Sequence, residues 1–100
     1  MASFHDHVRA ALDSLPPEIS RKLQNVAVVI EDENPDEPDL FGLFDQPEYM
    51  PATITIYRLP LEESFDDPAE LEEEIRITVL HELAHYFGID EDRLADLGYD

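Results

Sequence analysis

The sequence contains no cysteine, which excludes both disulfide bonds and thiolate metal sites. It also has little positive charge, with 6 lysine and arginine residues against 25 aspartate and glutamate residues and a net charge of −19. Nucleic-acid binding and attachment to anionic membranes both need clustered lysine and arginine, so we expect neither. The acidic surface is compatible with a basic peptide or protein partner and with cation binding.

Long apolar runs are absent as well. No stretch approaches the roughly 20 apolar residues that a membrane span requires. The amino-terminal segment shows neither the basic start nor the apolar run of a signal peptide, so the sequence predicts a cytoplasmic protein. A length of 100 residues with an apolar fraction of 43% predicts one small domain over residues 1–100. Nothing in the sequence indicates an oligomeric state.

Hydrophobic periodicity predicts helices at the start of the chain, followed by a strand. The apolar residues between Phe4 and Leu15 share one helical face and predict a helix. Ser3 precedes this segment and is suited to cap it. Pro17 can open a short helical segment through Leu23. The apolar run 26–30 is rich in β-branched residues and predicts a buried strand.

The middle of the chain combines a polar loop with two short apolar segments. Six acids and two prolines within residues 31–39 predict a solvated loop. Residues 40–44 are apolar with one glycine, which is typical of a strand or of a cleft wall. Residues 53–58 alternate polar and apolar side chains, and the flanking Pro51 and Pro60 favour a strand at the edge of a sheet.

The second half of the chain predicts one long helix. Residues 61–67 are expected to form a connecting loop that ends at Asp67, a helix cap before Pro68. The helix should continue to Phe87 and end at Gly88, a residue suited to a left-handed cap. A final short helix is expected from residue 90 or 91 through residue 97.

The long helix contains His81-Glu82-Leu83-Ala84-His85, an HExxH sequence. Residues four apart project from nearly one side of a helix, so both imidazoles can bind a single ion. Zinc accepts imidazole nitrogen and keeps one position for a water molecule in catalytic sites. It lowers the pKa of that water, and Glu82 can take the proton as general base and pass it to a leaving amine.

Apolar residues surround the motif and predict that this helix is a central core element. They are Ile75, Ile77, Val79, Leu80, Leu83, Ala84 and Phe87. Polar side chains on a buried helix cost free energy unless something satisfies them, and a metal ion would do so. The competing hypothesis is an ordinary helix on which His81, Glu82 and His85 face solvent.

The segment HELAHYFGIDEDRL resembles the HExxHxxG segment of zincin peptidases, in which the glycine ends the helix so that the chain turns back toward the metal. With the upstream segments VAVVIEDE and ITIYR, the chain is similar to the minimal zincin-like metallopeptidases of bacteria over roughly residues 8–99. This resemblance implies a small α+β zincin-like domain with a short β-sheet packed on the central HExxH helix, a zinc site and peptidase activity.

The third metal ligand is predicted from the longer pattern HExxHxxGxxH of metzincins. The position of its last histidine is occupied by Glu91 here, and Asp92 and Asp90 are the alternatives, since carboxylate oxygen is an acceptable zinc ligand. The few residues after Gly88 do not contain the methionine-containing turn of metzincins, so we do not expect a metzincin proper.

The predicted function is hydrolysis of peptide bonds by a zinc ion (Zn2+) that His81, His85 and Glu91 hold, with Glu82 as the general base. The main alternative is a non-catalytic metal-binding module whose acidic surface docks a basic partner. A zinc hydrolase acting on a small amide and a metal-free structural protein are the further alternatives.

Three smaller predictions concern the surroundings of the site. Zincins usually hold substrate as an added strand at a sheet edge, and residues 53–58 are the candidate for that edge, with a purely structural strand as the alternative. Tyr57 or Tyr86 could donate a hydrogen bond to the oxyanion, although packing is the more common role of such rings. His5 and His7 point to different sides of a helix, so we interpret them as surface residues that share no ion.

Overall fold

A computed structural model describes residues 3–88 and 91–96 of the chain. Within them lie five helices and a three-stranded sheet, which confirms the α+β prediction. The helices are α1 (Phe4–Asp13), α2 (Pro17–Leu23), α3 (Arg58–Ser64), α4 (Pro68–Phe87) and α5 (Glu91–Asp96). The strands are β1 (Val26–Glu31), β2 (Gly42–Asp45) and β3 (Ala52–Tyr57).

The sheet has the order β1-β3-β2, with β1 parallel and β2 antiparallel to β3. The prediction of an edge strand over residues 53–58 was therefore wrong, because β3 lies in the centre. Its alternation reflects two different faces: Ile54 and Ile56 are buried, whereas Thr53 and Thr55 are half-exposed. The prediction of a buried strand over residues 26–30 was also wrong, since β1 is an edge strand on which every second residue is exposed.

The core forms where the helices cover one face of this sheet. Its fully buried members are Ile19, Ile54, Ile56, Leu61, Ile75, Leu80, Leu83 and Val79. Half of them come from α4, which also contacts α1, α3, β2 and β3. The short sheet thus packs on the HExxH helix, as predicted.

The loop predicted for residues 61–67 is mostly helical, because α3 runs from Arg58 to Ser64. Pro60 fits in this helix because it lies in the first turn, where a backbone N–H has no intrahelical partner. In the described part of the chain, no helix combines the length and the apolar character needed to cross a membrane.

Candidate metal centre

Helix α4 carries the HExxH residues, and both of its ends are capped. The side chain of Asp67 accepts a hydrogen bond from the backbone N–H of Glu70 at 3.1 Å, and Pro68 occupies the first turn. Gly88 ends the helix in the left-handed conformation with φ of 66°. Both caps agree with the sequence prediction. Between them, Ile75, Val79, Leu80 and Leu83 fix one broad face of the helix in the core.

The HExxH residues lie on the opposite, open side of α4. His81 and His85 are exposed and Glu82 is half-buried. The expectation that burial would make these polar groups costly without a metal was therefore wrong, because the apolar residues around the motif take only one side of the helix. None of the three side chains forms a hydrogen bond or ion pair with another residue in the described ranges.

A cleft of about 310 Å³ opens between the motif and the strand β2. One wall is formed by residues 39–42, which lead into β2. The other wall is formed by Thr78, His81 and Glu82 of α4. The apolar segment at residues 40–44 is thus both a strand and a cleft wall, the two options that the sequence left open.

Two contacts attach β2 to α4, one on each side of the histidines along the helix. Gly42 is buried and lies against Thr78, one turn before Glu82. The ring of Phe44 stacks on that of Tyr86 with 4.3 Å between centroids. Sequence reasoning missed Gly42 and Phe44 as determinants of the site, because pairing of a strand with a distant helix leaves no local signal.

The acidic loop after β1 brings negative charge to this region. Asp39, the last residue of the loop, lines the cleft. Asp32 at the start of the loop forms an ion pair with Arg58 at 2.9 Å, and Arg58 also pairs with Glu62. The hydrogen bonds to these two carboxylates raise the pKa of Arg58. Arg58, one of the few basic residues in the chain, is thereby paired with two carboxylates, and Asp39 contributes a further carboxylate to the lining of the cleft.

The two candidate tyrosines make packing contacts. The Tyr57 hydroxyl accepts a hydrogen bond from the Asn34 side chain at 3.0 Å, and the residue is buried at the end of β3. Tyr86 stacks on Phe44 and meets Phe87 edge-on at 4.6 Å. Both arrangements agree with a packing role.

The two amino-terminal histidines differ from each other. His5 is exposed, as predicted. His7 is not a free surface residue, because its Nδ1 lies 2.6 Å from Oε2 of Glu72 on α4 and its side chain is only 12% exposed. The interpretation of His7 as a surface residue was therefore wrong.

The predicted third zinc ligand, Glu91, and its two alternatives lie in a part of the chain that the structure describes only in part. The side chain of Glu91 and the whole of Asp90 lie outside the described residues, whereas Asp92 is exposed. An ion pair between Arg93 and Glu18 joins α5 to α2. Within the described residues, no group of three or more His, Asp or Glu side chains is close enough to hold a metal ion.

The described residues fit a zinc ion in their chemistry and supply part of its ligand set. His81 and His85 lie one helical turn apart, are exposed, and have no hydrogen-bond or ion-pair partner among residues 3–88 and 91–96. Imidazole nitrogen is a donor that zinc accepts in catalytic sites, and two imidazoles with one carboxylate form a common ligand set. The described residues thus supply the two imidazoles of such a set, while Glu82 lies beside them as a carboxylate that is free to act on a bound water molecule.

Comparison with known proteins agrees with this geometry. A family model described as zincin-like metallopeptidase matches residues 23–99. The match includes the whole sheet, α3, α4 and the described part of α5. A search of curated proteins gave no match.

Proposed function

The chain belongs to the zincin-like metallopeptidase family, and on this premise we propose that it is a zinc-dependent peptidase with Glu82 as its general base. The observation that carries the proposal is the cleft between β2 and α4. His81 and Glu82 line this cleft directly, so a chain bound in it would meet the motif. The proposal is supported by the position of the strand wall of the cleft, residues 39–42, opposite the helix that carries the motif.

We assign zinc binding to His81, His85 and Glu91. The first two project from one side of a rigid helix, which lowers the entropy lost when they bind an ion. Glu91 begins α5, three residues after the helix-ending turn at Gly88. A bound zinc ion would supply a polarised, acidic water molecule and positive charge for the carbonyl of the substrate.

Glu82 is proposed to move the proton. Its carboxylate is half-buried in the cleft wall and has no described partner, so its oxygens are available to a water molecule. It would accept a proton from the attacking water and deliver it to the nitrogen of the leaving amine. One side chain can perform both transfers because the attacking oxygen and the leaving nitrogen are bonded to the same carbon atom after the attack and therefore lie close together.

The substrate strand is proposed to lie beside β2. This strand is the sheet edge next to α4, whereas the other edge, β1, lies beyond the central strand. An extended peptide can pair with the free backbone groups of such an edge and bring its peptide bond across the motif.

A basic peptide is the substrate class that the charges favour. Asp39 is at the mouth of the cleft, and the chain carries a net charge of −19. Such a field attracts cationic chains and weakens as salt is added. We therefore expect lysine-rich peptides to be cleaved faster than glutamate-rich peptides, with a difference that shrinks at high salt.

The test replaces the proposed base without changing its size. Glu82→Gln is expected to retain zinc and to lose about 100-fold or more in turnover, since general-base catalysis contributes about 10²–10⁴-fold. The matched control is Glu74→Gln, a half-buried glutamate two turns earlier on the same helix. Turnover is measured on mixed lysine-rich peptides, with mass spectrometry of the products and metal analysis of each variant.

The outcomes separate the alternatives. Full turnover by Glu82→Gln would contradict the assigned base. Zinc binding by the unchanged protein without turnover on any peptide would favour a metal-binding module that docks a basic partner. Release of ammonia or a small amine without peptide cleavage would instead indicate a hydrolase of small amides.

A further inference from the structure

Strand β2 has a glycine, Gly42, where it faces helix α4, and the backbone conformation of β2 does not require glycine there. A Cβ atom added at Gly42 would lie 2.5 Å from Cγ2 of Thr78 and 3.3 Å from the carbonyl oxygen of Thr55. Among the described glycines, only Gly88 has a positive φ. The close approach of strand to helix, and not a left-handed backbone, therefore accounts for glycine at position 42.

This close approach occurs directly beside the HExxH residues. Thr78 is buried one turn before Glu82, and both line the cleft together with Gly42. The next inward-facing residue of β2, Phe44, is held by its stacking on Tyr86. Since β2 is fixed at these two points, the contact between Gly42 and Thr78 sets the width of the cleft at the end where Glu82 lies.

We propose that Gly42 is a positioning residue, which sets the distance between the substrate-binding edge of β2 and the residues His81 and Glu82. The inference rests on the proposed function, because it assumes that a peptide lies along β2. A methyl group at position 42 would lie 2.5 Å from Cγ2 of Thr78, whereas an ordinary contact needs at least 3.4 Å, so either β2 or the Thr78 side chain has to move. Because Thr78 is buried, we expect β2 to move outward by about 1 Å, and a displacement of this size in a catalytic site can lower the reaction rate about 100-fold.

The atom nearest to a Cβ at position 42 belongs to a side chain that can be replaced, so the proposal can be tested at that residue. The clash is with the methyl carbon Cγ2 of Thr78, so Thr78→Ser removes the obstacle. Thr78→Val keeps a methyl group on each branch and leaves the obstacle in place. The cost of Gly42→Ala should therefore depend on the residue opposite it, and that dependence distinguishes contact with Thr78 from a general effect of alanine in a strand.

The experiment measures peptide binding to the zinc-loaded full chain, in a Glu82→Gln background that prevents cleavage. The probe is a fluorescein-labelled lysine–alanine repeat peptide, followed by fluorescence anisotropy. Gly42→Ala should raise its Kd at least about 10-fold in the Thr78 and Thr78→Val backgrounds and less than about 3-fold in the Thr78→Ser background. Zinc affinity, measured with the metal alone against a chelating dye, should stay within about 3-fold throughout, because none of the three proposed ligands lies on β2.

The other results overturn either the inference or the proposed function. An unchanged peptide Kd in Gly42→Ala, or an equal loss in all three backgrounds, would show that the contact with Thr78 does not position the peptide. An unfolded Gly42→Ala protein in the presence of zinc would show that the contact serves the fold and not the cleft. If the peptide binds with the expected pattern but the chain with Glu82 intact cleaves none, the proposed peptidase function fails while the role of Gly42 stands. If the peptide does not bind to the chain with Gly42 and Thr78, the inference fails, whereas the proposed function is decided by the turnover of the chain with Glu82 intact.

Discussion

The hydrogen bond between His7 and Glu72 joins α1 to the helix that carries the motif, and its loss should destabilise the protein. The distance from Nδ1 to Oε2 is 2.6 Å, and the two side chains are 12% and 37% exposed. Fully exposed ion pairs contribute about 0–1 kcal/mol, and hydrogen bonds to charged groups up to about 3 kcal/mol. Because Glu72 is more than a third exposed, solvent screens its carboxylate, and we expect a coupling of about 1 kcal/mol.

A double-mutant cycle measures this coupling. Urea unfolding of His7→Ala, of Glu72→Gln and of the double variant gives the non-additive part of the free energy of unfolding. The matched control cycle replaces His7→Ala by His5→Ala, since His5 is exposed on the same helix and should show no coupling. A coupling below about 0.3 kcal/mol for His7, or an equal one for His5, would refute the reasoning.

Two further predictions concern helix ends. Asp67→Ala should lower the free energy of unfolding by about 1 kcal/mol in urea titration, because it removes the cap of α4, whereas Asp66→Ala should have little effect. Asp6 accepts a hydrogen bond from the backbone N–H of Ser3, which lowers its pKa from the ordinary 3.8. A lowered pKa means that Asp6 stabilises the fold above pH 3.8 and loses this effect as the pH falls through the lowered value. An NMR titration of Asp6 with a midpoint at or above 3.8 would contradict this assignment.

The features that could be predicted from the sequence are those with local causes. α4 begins and ends where Asp67, Pro68 and Gly88 indicated, because capping involves residues within one turn of the helix end. The HExxH spacing likewise fixes the relative direction of His81 and His85, since helix geometry alone decides it.

The features that were wrong depend on contacts between distant segments. The order of strands in the sheet follows from which strands pair, and the flanking prolines of β3 lie outside the paired residues, so they left its centre free to bond on both sides. His7 was misinterpreted for the same reason, as its partner Glu72 lies 65 positions away.

The candidate site divides in the same way. The residues of the motif could be found by their pattern, whereas the opposite wall of the cleft could not. That wall depends on the close approach of Gly42 to Thr78. The hydrophobic periodicity of the sequence does not indicate this contact, because the two residues belong to distant segments.

The measurement that tests the central claim most directly is the zinc content of the purified protein and of three single variants. We expect about one zinc ion per chain in the unchanged protein and nearly none in His81→Ala, since loss of one of three protein ligands weakens binding severely. Glu91→Ala should lose most of its zinc, whereas Asp92→Ala should retain it. A protein that holds no zinc when the metal is supplied, or a His81→Ala variant that holds it fully, would contradict the account.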